Sequence, residues 1–461
     1  MSKHRSRALV IVLFAIAATS LLTSAAPAAV KVDRASKRPV PVPQLYLSPK
    51  GSDSGRCTKA SPCASFARAF AVAKAGELVE VADGYYGNCS KPLTGAKADF
   101  VTFRAARGAS PWTTCPLTLL RAEHVRFVNL KLDGIYLYST QYVTLDHVNV
   151  TCRDEKPFTL YGPTQVASFS PGPVSPSGYY CSAFVKGTPK HFKMIGGSIG
   201  PTLADGCVGS DASDIGFSAP EWIADDLLFD GVTVHTARFR GKAPAGCGEP
   251  DPAHTELFYF TAVRNVTIRN SRFYDGGSSA DIFITDQNQG VRSQNIRIEN
   301  NIFDRSVNMP INVSYVQGLR IAYNTFPFGG PGWIAAGTNV SIIGNLGEHN
   351  LCPAPPGVAT YSHNVWFLDN STGGSADRCG STDVALNSNG SNIFVKMAPR
   401  GNFQLRKGSP AVGRGDPNDY PLRDRTGTCR PQGKQPDAGA FEQHRVRKSK
   451  KAQKVAACRR R

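Results

Sequence analysis

The 461-residue chain contains no Cys-x-x-Cys pair, so its twelve cysteines do not present the usual frame of a structural zinc site. It has no phosphate-binding loop and no serine set on an elbow between a strand and a helix. Phosphoryl transfer and triad hydrolysis of that kind therefore find no footing. Beyond residue 22 no run is apolar enough to cross a bilayer, which takes about 20 residues. Acidic residues are scarce at both ends. Residues 1–38 hold one Asp against seven Lys and Arg, and residues 444–461 hold no acid against nine. Those stretches contribute +6 and +9 to the net charge of +18 and leave +3 for everything between. A near-neutral body argues against nucleic acid as a partner.

What is present begins with a secretory layout. Lys3, Arg5 and Arg7 precede the uncharged apolar run Ala8 to Leu22, and small residues at 24–29 follow. Residues 1–28 are read as a signal peptide, leaving a secreted, extracellular protein with no membrane span, expected to be a monomer. Residues 29–44, rich in Pro and basic residues, form a linker. The basic tail, 443–461, is either an adhesive for anionic cell-wall polymer or a solvated end. Export makes disulfides expected. Proximity along the chain suggests Cys57/Cys63, Cys89/Cys115, Cys152/Cys181, Cys207/Cys247, Cys352/Cys379 and Cys429/Cys458, although spacing alone fixes no connectivity.

The body, 45–442, opens with a short strand at Leu45. A helix is expected to start at Ser61-Pro62 and stop at Gly76, with Phe66, Phe70 and Ala73 on one face. A second strand is expected over 77–82. Eight similar segments then recur, starting at Val125, Val143, Phe192, Leu227, Val266, Ile296, Leu319 and Val340. Each alternates apolar and polar residues and then reaches Asn, Gly or Asp, which tolerate the left-handed backbone of a tight corner. Their spacing tightens from 49 residues to 23 and 21, the length of one solenoid coil. Such coils bury their apolar residues only by stacking. The fold class expected is all-β: a right-handed parallel β-helix, a single-stranded solenoid with a short N-terminal capping helix, the hand following from the crossover rule.

The opening through Gly84-Tyr85-Tyr86, the coil Asn265-Val266-Thr267-Ile268-Arg269-Asn270-Ser271-Arg272-Phe273 and the ending from Phe403 to Glu442 together resemble the secreted right-handed parallel β-helix repeat family, related in shape to pectate lyases. The resemblance covers residues 45–442 and is specific for fold. It implies lyases, hydrolases or epimerases of acidic polysaccharides, and also members without catalysis. The Gly-His-Gly and Arg-Ile-Lys motifs of polygalacturonases are missing, and Asp225-Asp226, similar to their paired Asp, is expected to precede its strand, so no role is transferred to it.

A candidate site follows from register. With Glu256-Leu257-Phe258-Tyr259 set beside Asp281-Ile282-Phe283-Ile284 and Pro310-Ile311-Asn312-Val313, the residues Leu257, Ile282 and Ile311 point inward. Glu256 and Asp281 then stack on the outer face beside Phe258, Phe283 and Asn312. Two adjacent carboxylates repel, so one would serve as a general acid, or the pair could hold Ca²⁺. His254, Lys242 and Arg240 are the nearest candidates for an assisting base, with Arg240 also a substrate contact, and Phe258 and Phe283 would form a platform for a sugar ring. The bland alternative is a ladder covered by a loop. Asp205, Asp211 and Asp214 read better as a polar turn than as a Ca²⁺ site, Tyr136 and Tyr138 as an ordinary outer sheet face or the extension of a groove, and Ser409, Pro410 and Asp424 as closing-turn residues. The expected function is the binding and cleavage, by a lyase or hydrolase, of an extracellular acidic polysaccharide; the alternative is a non-catalytic surface or wall-associated glycan binder.

Overall fold

The eight alternating segments lie side by side, in parallel, in the register their sequences propose. A computed structural model describes residues 42–151, 180–181, 185–204, 213–215, 223–239, 256–276, 279–285, 292–306, 308–348, 352–368, 378–443 and 458. In it Val125 pairs with Val143, Phe192 with Leu227, Leu227 with Val266, Val266 with Ile296, Ile296 with Leu319 and Leu319 with Val340. The first and third residues of each segment point inward and are at most 3 % exposed. Burying one such side chain contributes roughly 1.5–3 kcal/mol, and stacking joins them into one continuous core. This long sheet is sheet A. A short strand follows each of its strands and pairs likewise in sheet B, whose inner Phe273, Phe303 and Phe326 stack with centroids 4.9 Å apart. A third set, sheet C, precedes the sheet A strand of each coil, for example Phe258–Thr261 before Val263–Arg269. The result is a parallel β-helix with three faces.

The corner from sheet A to sheet B has a fixed chemistry. Its first residue is left-handed in nine successive coils: Asn129, His147, Gly196, Gly231, Asn270, Asn300, Tyr323, Gly344 and His363 have φ between +53° and +71°. In the later coils the next residue is a buried asparagine. The Asn324 side chain accepts from the Asn301 N–H and donates to the Ile298 carbonyl, Asn345 repeats this one coil on, and Asn364 repeats it again and donates to Asp383. The corner turns the backbone away from its ladder, and these amides satisfy the polar groups left inside.

Two expectations are corrected, and the closing segment takes a course that the sequence left open. The helix spans Phe66–Val72 with Ser65 as N-cap, not Ser61. The Cys57–Cys63 disulfide and the bridge from Cys63 to Leu47 hold residues 62–63 extended, and Asp53 accepts from the N–H groups of Ala64 and Ser65. Asp225 and Asp226 lie within the strand Ala224–Asp230, where they bond Asn265 and His191, rather than ahead of it. The ending does not stay at the last coil. Phe394, Phe403, Ala438 and Phe441 pack on Ile302, Leu346 and Val365 of sheet B, and the stretch 416–442 runs along the A–B corner. There Arg425 donates to the Asn270 carbonyl, Asn300 to the Arg423 carbonyl, and the buried Arg430 to the Asp437 and Gly439 carbonyls, with its guanidinium 4.7 Å from the Tyr323 ring.

Four of the expected disulfides are formed: Cys57–Cys63, Cys89–Cys115, Cys352–Cys379 and Cys429–Cys458. The other two expected pairs, Cys152/Cys181 and Cys207/Cys247, rest on residues outside those described. Cys152, Cys207 and Cys247 lie outside those residues. Cys181 alone of the four is described, by its backbone: it ends the short strand Tyr180–Cys181 and pairs antiparallel with Leu203, off the coil ladder. Its expected partner Cys152 follows the strand Asn149–Val150 of sheet B. Among the described residues no helix is long and apolar enough to cross a membrane.

Candidate functional site

Sheet C carries the residues proposed for chemistry, and its register decides which of them meet. Phe258 pairs with Ile282, Tyr259 with Phe283, Phe283 with Asn312 and Asn312 with Trp333. The pairing of Ile282 with Ile311 is as expected. The strand before it is displaced by one residue, so Glu256 does not stand beside Asp281. Leu257-Phe258-Tyr259-Phe260 is apolar at four successive positions, and such a run does not fix its own phase. A one-residue slip exchanges the faces. Phe258 points into the core, fully buried against Phe229, Phe260 and Phe273, and is no platform. Tyr259 takes its place on the outside, 5.5 Å from Phe283 in an edge contact.

The backbone column that register aligns now reads Tyr136, Lys186, Asp214, Tyr259, Phe283, Asn312, Trp333. At about 4.8 Å per coil its six steps cover roughly 29 Å. Tyr136, Tyr259 and Asn312 are half-buried, Phe283 is 8 % exposed, and Trp333 is 46 % exposed. Phe283 therefore faces outward without being open, and the open ring is Trp333, which the sequence reading missed. Its signal was one coil further along the same column. Tyr136 and Tyr138 both face out, with rings 6.0 Å apart, and burial pushes the Tyr136 phenol well above its ordinary range, helped by Tyr138 and Asp133. Asp214 lies on the strand Ser213–Ile215 and not in a polar turn.

Glu256 and Asp281 are each 1 % exposed, so neither stands on an open surface. The Asp281 carboxylate lies against Gly276. A Cβ there would sit 1.8 Å from Asp281 Oδ1, so only glycine permits this approach. Oδ2 accepts from the Ser306 hydroxyl, while Oδ1 is buried without a hydrogen-bond partner. Burial raises its pKa to about 7 against the opposing Ser306 hydrogen bond, and the charge of Asp304 adds to the rise. The neighbouring cations are engaged elsewhere. Arg272 pairs with Asp304, and Arg305 and Arg400 pair with Asp275 at 2.9 and 2.8 Å. Arg400 also lies 4.9 Å from the Tyr274 ring, on which His235 stacks, and burial followed by Arg400 holds the His235 pKa down. Asp281 is thus a carboxyl near its midpoint at neutral pH, able to hold or give up a proton.

Among the described residues no group of three or more His, Cys, Asp and Glu is placed to hold a metal. Two buried carboxyls, one of them with a raised pKa, are a poor donor set for Ca²⁺, and no step is routed through it. His254, Lys242 and Arg240 lie outside the described residues, as do Asp205 and Asp211. Asp424 is a turn residue: its carboxylate accepts from the Thr426, Thr428 and Glu442 N–H groups. Ser409 likewise caps its own turn, accepting from the Ala411 N–H.

A second feature went unread. The residue just before each sheet A segment is left-handed, and in the early coils it is His124, Tyr142 and His191, whose rings stack at 4.6 and 4.5 Å. Setting the residue that precedes each repeat in one column would have shown it.

Comparison with solved structures finds pectate lyase Pel9A at 14 % identity, with a TM-score of 0.44, covering 87 % of this chain and 96 % of that one. A PL6 alginate lyase complex with trisaccharide matches at 13 % identity and a TM-score of 0.38, covering 71 % and 80 %. A rhamnogalacturonan lyase matches at 12 % and 0.27, covering 70 % and 68 %. No protein-family profile matches the chain, and no curated protein does. The parallel coil described above rests on this chain's own strand register.

Proposed function

We propose that this chain is an exported carbohydrate-active protein that holds an acidic polysaccharide along the outer face of sheet C. The observation that carries the reading is the column from Tyr136 to Trp333, in which the outward rings of Tyr136, Tyr259, Phe283 and Trp333 share one face with the polar Asn312. Pyranose rings offer apolar CH faces to aromatics and hydroxyls to groups such as Asn312, and a column along the helix axis suits a linear polymer. Residues 1–28 are taken as the leader, 29–44 as a linker, 45–442 as the β-helix and 443–461 as a basic tail. The coil is taken as right-handed, with the helix Phe66–Val72 closing its N-terminal end.

Cleavage is the second reading, favoured by the raised pKa of Asp281, two residues before Phe283 on the same face. In a β-elimination a base, for which His254 or Lys242 are the candidates, takes the proton at C5. The C4–O bond then breaks, Asp281 delivers its proton to the departing oxygen, and a C4=C5 double bond remains. The test is affinity-gel retardation on polygalacturonate and alginate, together with absorbance of unsaturated ends. The binding reading predicts that Trp333→Ala weakens retardation; unchanged retardation in that variant contradicts it. The cleavage reading predicts unsaturated products that Asp281→Asn abolishes while retardation persists. Retardation of the wild type without products leaves binding as the function.

A further inference from the structure

We propose that the outer face of sheet A, over its first coils, is a second carbohydrate-binding site, built for a sugar ring that carries a carboxylate. Two rows of side chains define it. The first is a stack of rings: Phe100 meets His124 edge-on at 5.3 Å, His124 lies flat on Tyr142 at 4.6 Å and 11°, and Tyr142 lies flat on His191 at 4.5 Å and 6°. His191 Nδ1 bonds Asp226 at 2.8 Å, which fixes the end of the stack, while the buried His124 Nδ1 has no partner, so stacking alone holds that ring. The second row, two residues along each strand and hence about 6.6 Å away, is Thr102, Arg126, Thr144 and Lys193, neighbours by register. Ile195 lies beyond. Over this second row, and reaching Phe100 of the first, is an open groove of about 470 Å³ lined by Phe100, Thr102, Arg126, Thr144, Lys193 and Ile195, with Asp99 at its rim. That volume falls within the range of small-ligand sites.

The fold does not require this stack. His124, Tyr142, His191 and Asp226 occupy one left-handed position, with φ of +59°, +55°, +53° and +55°. In the following coils the same position is Asn265, Asn295, Gly318 and Asn339, the residues that adopt this backbone most readily. Tyr142 is therefore held there against local preference. Strain kept where a cheaper residue would serve marks a functional surface. Tyr142 is 37 % exposed and the His191 side chain 41 %, so the stack presents an open edge to solvent.

The charges select the ligand. Arg126 shares itself with Asp146, whereas Lys193 makes no ion pair among the described residues. Asp99, at the rim, is turned to the Phe100 N–H. A ring stacked beside Tyr142 would set a carboxylate toward Lys193 and Arg126 and its hydroxyls toward Thr102 and Thr144. A uronic acid unit has those parts.

The experiment is calorimetric titration of the whole protein with trigalacturonate and with a neutral trisaccharide of similar length. In Tyr142→Asn/His191→Asn, which installs the residue used by the later coils, one binding event disappears or weakens at least tenfold while the thermal midpoint does not fall. Lys193→Gln weakens trigalacturonate several-fold and leaves the neutral sugar unaffected. Trp333→Ala keeps this event, because Trp333 belongs to sheet C, so failure here is separable from failure of the sheet C reading. Unchanged titration in the Asn double variant overturns the site, and equal affinity of the wild type for the neutral trisaccharide overturns its preference for a carboxylate.

Discussion

Asp281 shows at the residue scale how burial turns a common side chain into a group with a distinct pH response. Its folded pKa of about 7 stands above the ordinary carboxyl value, so the native state holds a proton that the unfolded chain releases. The sign follows: its favourable contribution is complete below the unfolded pKa and is lost as pH rises through about 7. Asp281→Asn keeps an acceptor for Ser306 and removes the ionisation. We expect the variant to match the wild type near pH 4 and to exceed it at pH 8, by up to roughly 4 kcal/mol, in urea unfolding followed across pH. A variant less stable at pH 8 contradicts the buried environment described for this carboxyl.

Phe258 tests the register at the same scale. Fully buried among three other Phe rings, it should cost about 3–5 kcal/mol when truncated to Ala, whereas Tyr259→Ala, on the outer face, should cost far less. The opposite order would restore the register in which Phe258 faces out.

At the scale of elements, the strands of sheet A were legible in the sequence because each repeat carries its own phase: two apolar residues separated by a polar one, then a residue suited to the corner. Sheet C was less legible. Ile282 and Ile311 sit in alternating strands and were placed correctly, while Leu257-Phe258-Tyr259-Phe260 offers no alternation. The helix start misled for a different reason. Ser61-Pro62 has the local chemistry of a cap, but the Cys57–Cys63 disulfide and pairing with Leu47 override it, and Ser65 with Asp53 supplies the cap four residues on. The asparagine corner is the element whose removal should be felt most. Asn324→Ala leaves the Asn301 N–H and the Ile298 carbonyl buried without partners. Denaturant unfolding should show a loss of about 3 kcal/mol or more. A loss below about 0.5 kcal/mol would mean the ladder is not sealed from water.

For the whole molecule, the returning segment 416–442 is as much a part of the fold as the coils, since it covers the A–B corner and is fastened by a buried Arg430 close to Glu442 at 3.7 Å. Glu442 is raised to about 7 by burial, against the pull of Arg430. Its sign is that of Asp281, so both groups make the wild type lose stability as pH rises between about 4 and 7. Arg430→Met leaves that carboxyl buried beside unpaired carbonyls and should cost roughly 3–5 kcal/mol. Limited proteolysis should then cut first within 416–442; first cuts elsewhere would contradict the strap. None of this was legible beyond the presence of a closing segment, because its partners lie more than a hundred residues away, as Arg425 to Asn270 and Arg430 to Asn300 do.

The claim on which the functional account turns is that one face of the coil, sheet C, carries the polymer. Amide hydrogen exchange of the whole protein with and without polygalacturonate tests it directly. The account predicts slowed exchange in Phe258–Thr261, Ala280–Thr285, Met309–Val313 and Gly332–Ile334 together. Slowed exchange confined to other faces, or no change at saturating polymer, would contradict it.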